Sequence, residues 1–175
     1  RSIDIEAIPA SYIFKEIPSN RTSFYLENKS ESFSMVAEGM LEKITASGTQ
    51  RFKTTSQSGK NLFNRIHHFS QVNTPHAIHL VGGFSFSDEL DTSTEWTDFE
   101  TSLFHLPEWL YLKQGQKNIL SLIEVFNPEL SVESWSRRFE ARIEEWMQRF
   151  TPDEMHFKRN GFTSLCSKTT DKNTA

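Results

Sequence analysis

The sequence predicts an α+β domain in which helices pack on one face of an antiparallel sheet. Two patterns carry this prediction: a hairpin pattern over residues 109–126 and an amphipathic helix pattern over residues 132–150. The 175 residues are 36% hydrophobic and 13% aromatic, which supplies one sizeable core. We therefore predict a single domain over residues 1–163, followed by a polar tail or linker over residues 164–175 that is rich in Ser, Thr, Lys and Asn.

The first third of the chain has the composition of strands. Residues 11–14 and 22–27 contain the Tyr, Ile and Phe typical of short strands, with a turn at residues 18–20 between them. Residues 34–45 indicate one long strand that is interrupted by Gly39. A glycine inside a strand typically marks a bulge or a close approach of another segment.

The middle of the chain changes period. From Lys60 onwards, apolar residues recur at three and four residues, which predicts a helix that ends before Pro75: Leu62, Phe63, Ile66 and Phe69. An extended segment follows, with its even positions on one face: Ile78, Leu80, Phe84 and Phe86. Gly82 leaves a gap in that row, and we expect another backbone or an aromatic ring to press on it.

The last third contains the clearest elements. Residues 109–113 and 118–126 are rich in strand formers and are joined by Gln114-Gly115-Gln116, which predicts an antiparallel hairpin. A helix follows, with Ser131 as N-cap, Glu133 in the first turn and Thr151-Pro152 at its end. Six apolar residues at spacings of three and four form one stripe along it: Val132, Trp135, Phe139, Ile143, Trp146 and Phe150.

Composition excludes several classes of function. The net charge is −4 with both signs interspersed, so no basic stripe is present for nucleic acid. Apolar runs are only a few residues long, against about 20 for a membrane span, and no signal segment opens the chain. Cys166 is the single cysteine, which excludes an intramolecular disulfide, and its neighbours supply no base that would make it a nucleophile. A cytoplasmic protein is the prediction.

For each candidate catalytic group, an ordinary structural role explains the residues better than catalysis does. His67-His68 diverge on a helix, and His76 and His79 lie on opposite faces of a strand, so neither pair predicts a metal site. The carboxylate pairs Asp88-Glu89 and Glu144-Glu145 are typical of solvated surfaces. Gly82-Gly83 could cradle an anion through backbone amides, although packing explains it more simply. We predict no catalytic, cofactor-binding or metal-binding residue in this chain.

A series of aromatic and glycine motifs nevertheless resembles a known family. Gly82-Gly83-Phe84-Ser85-Phe86 is followed by an acidic spacer, by Trp96 and Phe99, and then by Phe104 and Leu106-Pro107-Glu108-Trp109. Phe24-Tyr25-Leu26-Glu27 and Ala37-Glu38-Gly39 precede them. Their order and spacing over residues 20–126 resemble the amino-terminal half of chorismate-utilising enzymes, whose fold is of the anthranilate synthase component I type. The Phe84 to Asp88 segment is most similar to the menaquinone-type isochorismate synthases.

The resemblance implies a chemistry whose groups lie elsewhere. Members of this family add water to the chorismate ring while hydroxide leaves, with Mg²⁺ holding the carboxylates, a lysine as general base and a glutamate as general acid. These groups lie in the family's carboxy-terminal half, which begins with a Lys-Val-Val-Leu-like strand. That strand has no counterpart in this sequence, and the surroundings of Lys158, Lys168 and Lys172 do not match it.

The sequence therefore predicts the amino-terminal portion of an isochorismate synthase, inactive alone, whose apolar helix stripe meets a missing carboxy-terminal half. Another chorismate-utilising enzyme of the salicylate or anthranilate synthase type is the alternative within the same class. A non-enzymatic interaction module, which docks a partner on the helix stripe, is the alternative outside it. The gene sequence past Ala175 distinguishes the two classes, because a stop codon supports the module and a Lys-Val-Val-Leu-like strand supports the enzyme.

Overall fold

The computed structural model describes residues 1–68, 77–87 and 100–151. In chain order its helices and strands are β1 (Ser2–Asp4), α1 (Ala10–Lys15), β2 (Ser23–Asn28), β3 (Phe33–Glu38), β4 (Glu42–Thr45), α2 (Arg51–Phe63), β5 (Val81–Phe84), β6 (Ser102–Leu106), β7 (Trp109–Gln114), β8 (Lys117–Leu122) and α3 (Val132–Phe150), with a short 3₁₀ turn at Lys29–Glu31. This confirms the predicted α+β class. The strands form two antiparallel sheets rather than one, with the orders β1-β8-β7-β3-β2 and β4-β6-β5.

The predicted hairpin is confirmed as β7 and β8. The two strands pair from Trp109 opposite Leu122 to Gln114 opposite Lys117. Gly115 sits in the turn with φ of 60°, a left-handed conformation that glycine adopts at no steric cost. The second strand ends at Leu122 rather than at residue 126.

Two neighbouring chain segments cross from the large sheet to the small one side by side. β3 continues into β4 through residues 39–41, and β6 continues into β7 through residues 107–108. Residues 39–41 therefore lie opposite residues 107–108, so one of the two segments has an extra residue, as in a β-bulge. The sequence predicts a bulge or a close approach at Gly39, and the structure has an extra residue there; the single strand predicted over residues 34–45 is wrong because the chain passes at this point into a second sheet.

Gly39 also permits a close approach at this corner. Its φ is 85°, and a Cβ placed on it would lie 2.5 Å from the side chain of Glu108. Backbone hydrogen bonds connect the two crossing segments on both sides of the bulge, from Glu108 N to Glu38 O (2.9 Å) and from Leu41 N to Leu106 O (2.8 Å). We call this region, residues 38–41 with 106–109, the corner.

The main core lies between the large sheet and the two helices α1 and α3. Its centre is aromatic, with the Trp109 ring 5.5 Å from Trp146 and 5.2 Å from Phe150. α3 has the predicted bounds, and Ser134 N donates to the side chain of its N-cap, Ser131 (3.2 Å). The predicted arrangement of helices on one sheet face therefore holds for α1 and α3.

The other helix covers the small sheet. Leu62 of α2 packs with Ile44 of β4 and Leu106 of β6. Between the two sheets, Ala77 and Val81 pack against the opposite face of the large sheet, at Leu110, Leu112 and Ile119 among others. The molecule is thus layered as α1 and α3, large sheet, small sheet, and α2.

Two further sequence predictions of secondary structure are wrong. Residues 11–14 belong to the short helix α1, where burial of Ile13 decides the conformation despite the strand-like composition. The helix predicted from Lys60 begins at Arg51 and ends at Phe63. Apolar periodicity could not detect its first two turns because the buried positions there are Arg51, Thr55 and Gly59. Phe69 and Pro75 lie outside the described residues.

Candidate functional site

In the glycine pair Gly82-Gly83, only Gly82 is required for close packing. Gly82 and Gly83 lie in β5 and pair with Phe104 and Leu103 of β6. A Cβ on Gly82 would lie 2.0 Å from the backbone oxygen of Leu103, and the φ of Gly82 is 151°. A Cβ on Gly83 would meet no atom within 4 Å. The backbone predicted to press on the gap is therefore confirmed for Gly82 and is that of β6.

The histidines are separated in the fold. His67 and His68 follow α2, His79 precedes β5, His105 lies in β6, and His76 is outside the described residues. His105 is buried, and burial lowers the pKa of its imidazole. Within residues 1–68, 77–87 and 100–151, no three histidine, cysteine or acidic side chains form a group that could hold a metal ion. That part of the chain also contains no helix long and apolar enough to cross a membrane.

Of the two carboxylate pairs considered in the sequence analysis, one is exposed and the other lies outside the described residues. Glu144 and Glu145 are both exposed on α3, in agreement with the predicted solvated face. Asp88-Glu89 lies outside the described residues, as do Trp96, Phe99, Cys166 and residues 152–175.

A charged network that the sequence analysis missed holds the corner to α3. Glu38 is 2% exposed, and its Oε1 accepts a hydrogen bond from Arg21 Nε at 2.9 Å. Its Oε2 forms an ion pair with Arg149 Nη1 at 2.9 Å. Arg21 Nη2 in turn donates to Glu108 Oε2 at 2.9 Å, and the two carboxylates raise the pKa of the Arg21 guanidinium. We call Arg21, Glu38, Glu108 and Arg149 the corner network.

The corner network forms one wall of a cavity of about 210 Å³. Its apolar lining is mainly aromatic and consists of Trp109, Leu122, Trp146 and Phe150. Arg142 and Glu145 of α3 complete the charged lining, which therefore holds three arginines and three glutamates. Because Glu38 and Glu108 are both bound by arginines, neither is presented as a free acid or base, and their ion pairs connect the sheet to the helix.

A second ion-pair cluster fixes the middle of α3. Glu124, just after β8, accepts a hydrogen bond from Arg142 Nη1 at 2.7 Å and pairs with Arg138 Nε at 2.8 Å. Arg142 Nη1 also donates to the carbonyl of Ile123 at 3.2 Å. A signal for both clusters exists in the sequence, because Arg138, Arg142 and Arg149 recur at spacings of four and seven on α3.

The predicted apolar stripe of α3 is buried in one half only. Ile143, Trp146 and Phe150 are in the main core. Val132, in contrast, is 74% exposed, and Trp135 stacks its ring at 5.9 Å on Phe126, which is itself 70% exposed. The amino-terminal end of the stripe, with two residues that precede α3, thus forms an exposed aromatic surface, which we define as the exposed Val125, Phe126 and Val132 and the half-buried Trp135.

Comparison with known proteins identifies the family. A family model described as chorismate binding enzyme matches residues 1–173. The chain therefore belongs to the chorismate-binding enzyme family. No curated protein and no solved structure matches the chain.

Proposed function

We propose that this chain is the amino-terminal portion of a menaquinone-type isochorismate synthase, which converts chorismate to isochorismate. The family match over residues 1–173 carries the proposal. The motifs that resemble the isochorismate synthases support it, since Gly82 and Leu106-Pro107 occupy positions that the fold constrains. Gly82 lies directly against the β6 backbone, and Leu106-Pro107 enters the corner.

In this proposal the chain is a scaffold and does not supply the reacting groups. Its best-defined buried carboxylate, Glu38, is neutralised by Arg21 and Arg149. The described residues do not fit a Mg²⁺ site, because none of their acidic groups cluster as the metal would require. In this proposal the Mg²⁺ ligands, general base and general acid belong to the carboxy-terminal half, as the resemblance to the family implies.

The exposed aromatic surface is the proposed contact with that half. Phe126 and Trp135 are stacked with an angle of 7° between their rings, so the surface is ordered without a covering element among the described residues. Trp135 Nε1 donates to the carbonyl of Asn127 at 3.3 Å, which fixes the indole further. A preformed aromatic surface of this kind is suited to a permanent intramolecular or subunit contact.

An activity assay tests the proposal. The purified 175-residue chain and the complete gene product are each incubated with chorismate and Mg²⁺, and the products are separated by chromatography. We expect isochorismate from the complete product and no turnover from the chain. Turnover by the chain would show that it holds the catalytic groups. Anthranilate or salicylate from the complete product would assign it to another branch of the family, and no product of any kind would favour an interaction module.

A further inference from the structure

Strand β2 leaves one side of the large sheet open among the described residues. It is the last strand in the order β1-β8-β7-β3-β2, and four of its six residues are exposed. The strand at the other end of the sheet, β1, is only three residues long. An edge strand of full length presents a row of unpaired backbone groups, which is a template for pairing with another strand.

The register of β2 on β3 shows which of its backbone groups face outwards. Gly39 N donates to Thr22 O at 2.9 Å, so Thr22 directs its backbone carbonyl to the neighbouring strand. This direction alternates along an antiparallel pair, so the N–H and C=O groups of Ser23, Tyr25 and Glu27 point away from the sheet. β2 therefore offers three donors and three acceptors to an added strand.

β2 lacks the features that commonly protect an edge strand. It contains no lysine and no proline, and its pairing with β3 is continuous over Ser23–Asn28, without a bulge. Leu26 is 47% exposed on one face of the sheet. On the other face, Tyr25 stacks at 5.2 Å on Phe14 of α1, which is 38% exposed. Both faces of this edge therefore present apolar surface that an added strand would cover.

The charges beside this edge fit a second copy of the same strand. An antiparallel pair about a twofold axis at Phe24 places Arg21 opposite Glu27 of the second copy, on the same face of the sheet. The Arg21 side chain is 43% exposed, and Glu27 is exposed and forms no ion pair among the described residues. Opposite charges therefore meet at both ends of this pairing.

Other twofold registers lack this match. An axis at Tyr25 would set Arg21 against Lys29 of the second copy, and these two side chains have the same charge. An axis at Leu26 would set Arg21 against residue 31, which lies in the 3₁₀ turn outside the strand. The charges thus select the axis at Phe24.

We propose that two copies of this chain pair through their β2 strands, about a twofold axis at Phe24, and so join two five-stranded sheets into one of ten strands. Ser23 of each copy exchanges backbone hydrogen bonds with Tyr25 of the other. The two Phe24 side chains meet on the sheet face away from α1, where Phe24 packs against the core. The proposal is independent of the reaction proposed for the family.

Disulfide trapping in the complete gene product tests the position of the axis. Its cysteines, Cys166 included, are first replaced by serine. Opposed residues of a non-hydrogen-bonded pair have Cα atoms about 4.5 Å apart, which is within disulfide range. Phe24→Cys should therefore give a covalent dimer on oxidation with diamide. Leu26→Cys is the matched control and should not, because its two copies are roughly 13 Å apart along the strands. No cross-link at Phe24→Cys, or an equal one at Leu26→Cys, overturns the proposal.

Sedimentation velocity of the complete gene product tests the association without a cross-link. We expect a concentration-dependent dimer. Glu27→Arg replaces two attractions by two repulsions and should raise the Kd for dimerisation roughly 5- to 30-fold. Glu31→Arg makes the same charge change outside the strand, is the matched control and should leave the Kd unchanged. A monomer at every concentration, as when the carboxy-terminal half covers β2, overturns the proposal, and so does an equal effect of the two variants.

Discussion

The two sheets of this protein are stabilised in different ways. The large sheet carries a core of interlocked aromatic side chains, in which Tyr111 and Phe150 are fully buried. Among the described residues, the buried cluster of the small sheet has four members, and two backbones approach closely there, at Gly82 and Leu103. The stability of the large sheet therefore depends on the volume of buried side chains, whereas that of the small sheet depends on the lack of a side chain at Gly82.

The largest expected effect is in the aromatic core of the large sheet. Trp146 is 4% exposed and contacts Trp109 and Phe150, so Trp146→Ala should lower the free energy of unfolding by about 3–5 kcal/mol. Trp135→Ala, on the exposed half of the same helix, should cost about 1 kcal/mol or less. Urea unfolding measures both, and equal losses would show that the stripe is buried along its whole length.

The backbone fit of the small sheet gives the next effect. Gly82→Ala should cost roughly 3 kcal/mol, because its Cβ would overlap the Leu103 oxygen and the φ of 151° is strained for any other residue. Gly83→Ala is the matched control and should change stability by no more than about 0.5 kcal/mol, since nothing lies within 4 Å of its Cβ. Similar values for the two variants would contradict the close approach of β5 and β6.

A polar contact inside the large-sheet core has an intermediate effect. The Tyr111 hydroxyl donates to Ile8 O at 2.9 Å and accepts from Ile8 N at 3.2 Å, in a buried position that raises the pKa of the phenol. Tyr111→Phe leaves both backbone groups of Ile8 unpaired, which should cost about 1–3 kcal/mol in thermal or urea unfolding. Tyr25→Phe is the control, because that hydroxyl bonds only to Glu27 at an exposed site, and a loss as large there would argue against burial as the cause.

The smallest effect is the pH dependence of the small sheet. Because the folded-state pKa of His105 lies below its unfolded value, the unfolded chain binds more protons between the two values. Stability should therefore be complete above about pH 6.5 and fall as the pH drops through the folded pKa, with a slope of at most about 1.4 kcal/mol per pH unit for one group. His105→Asn should reduce this slope in unfolding measured from pH 8 to pH 5. An unchanged slope would assign the dependence to other groups such as His68, whose pKa is also lowered.

The sequence predicts the elements that have a regular apolar pattern better than those that bury polar residues or depend on contacts between distant segments. The β7–β8 hairpin and α3 follow from turn chemistry and apolar spacing; α3 has the predicted bounds, whereas β8 ends at Leu122 rather than at residue 126. α2 escaped prediction in its first two turns because it buries Arg51, Thr55 and Gly59. For the corner network, the spacing of arginines on α3 indicates a charged face but not its partners, since Arg21, Glu38 and Glu108 are distant in sequence and meet Arg149 only after β3, β7 and α3 have packed.

The corner has a consequence for how the molecule unfolds. Two short chain segments cross it, residues 39–41 between β3 and β4 and residues 107–108 between β6 and β7, so each sheet is joined to the other at two neighbouring points. We therefore expect the two sheets to unfold in one cooperative transition despite the difference in their cores. One extra residue at the corner would thus link two layers of different composition.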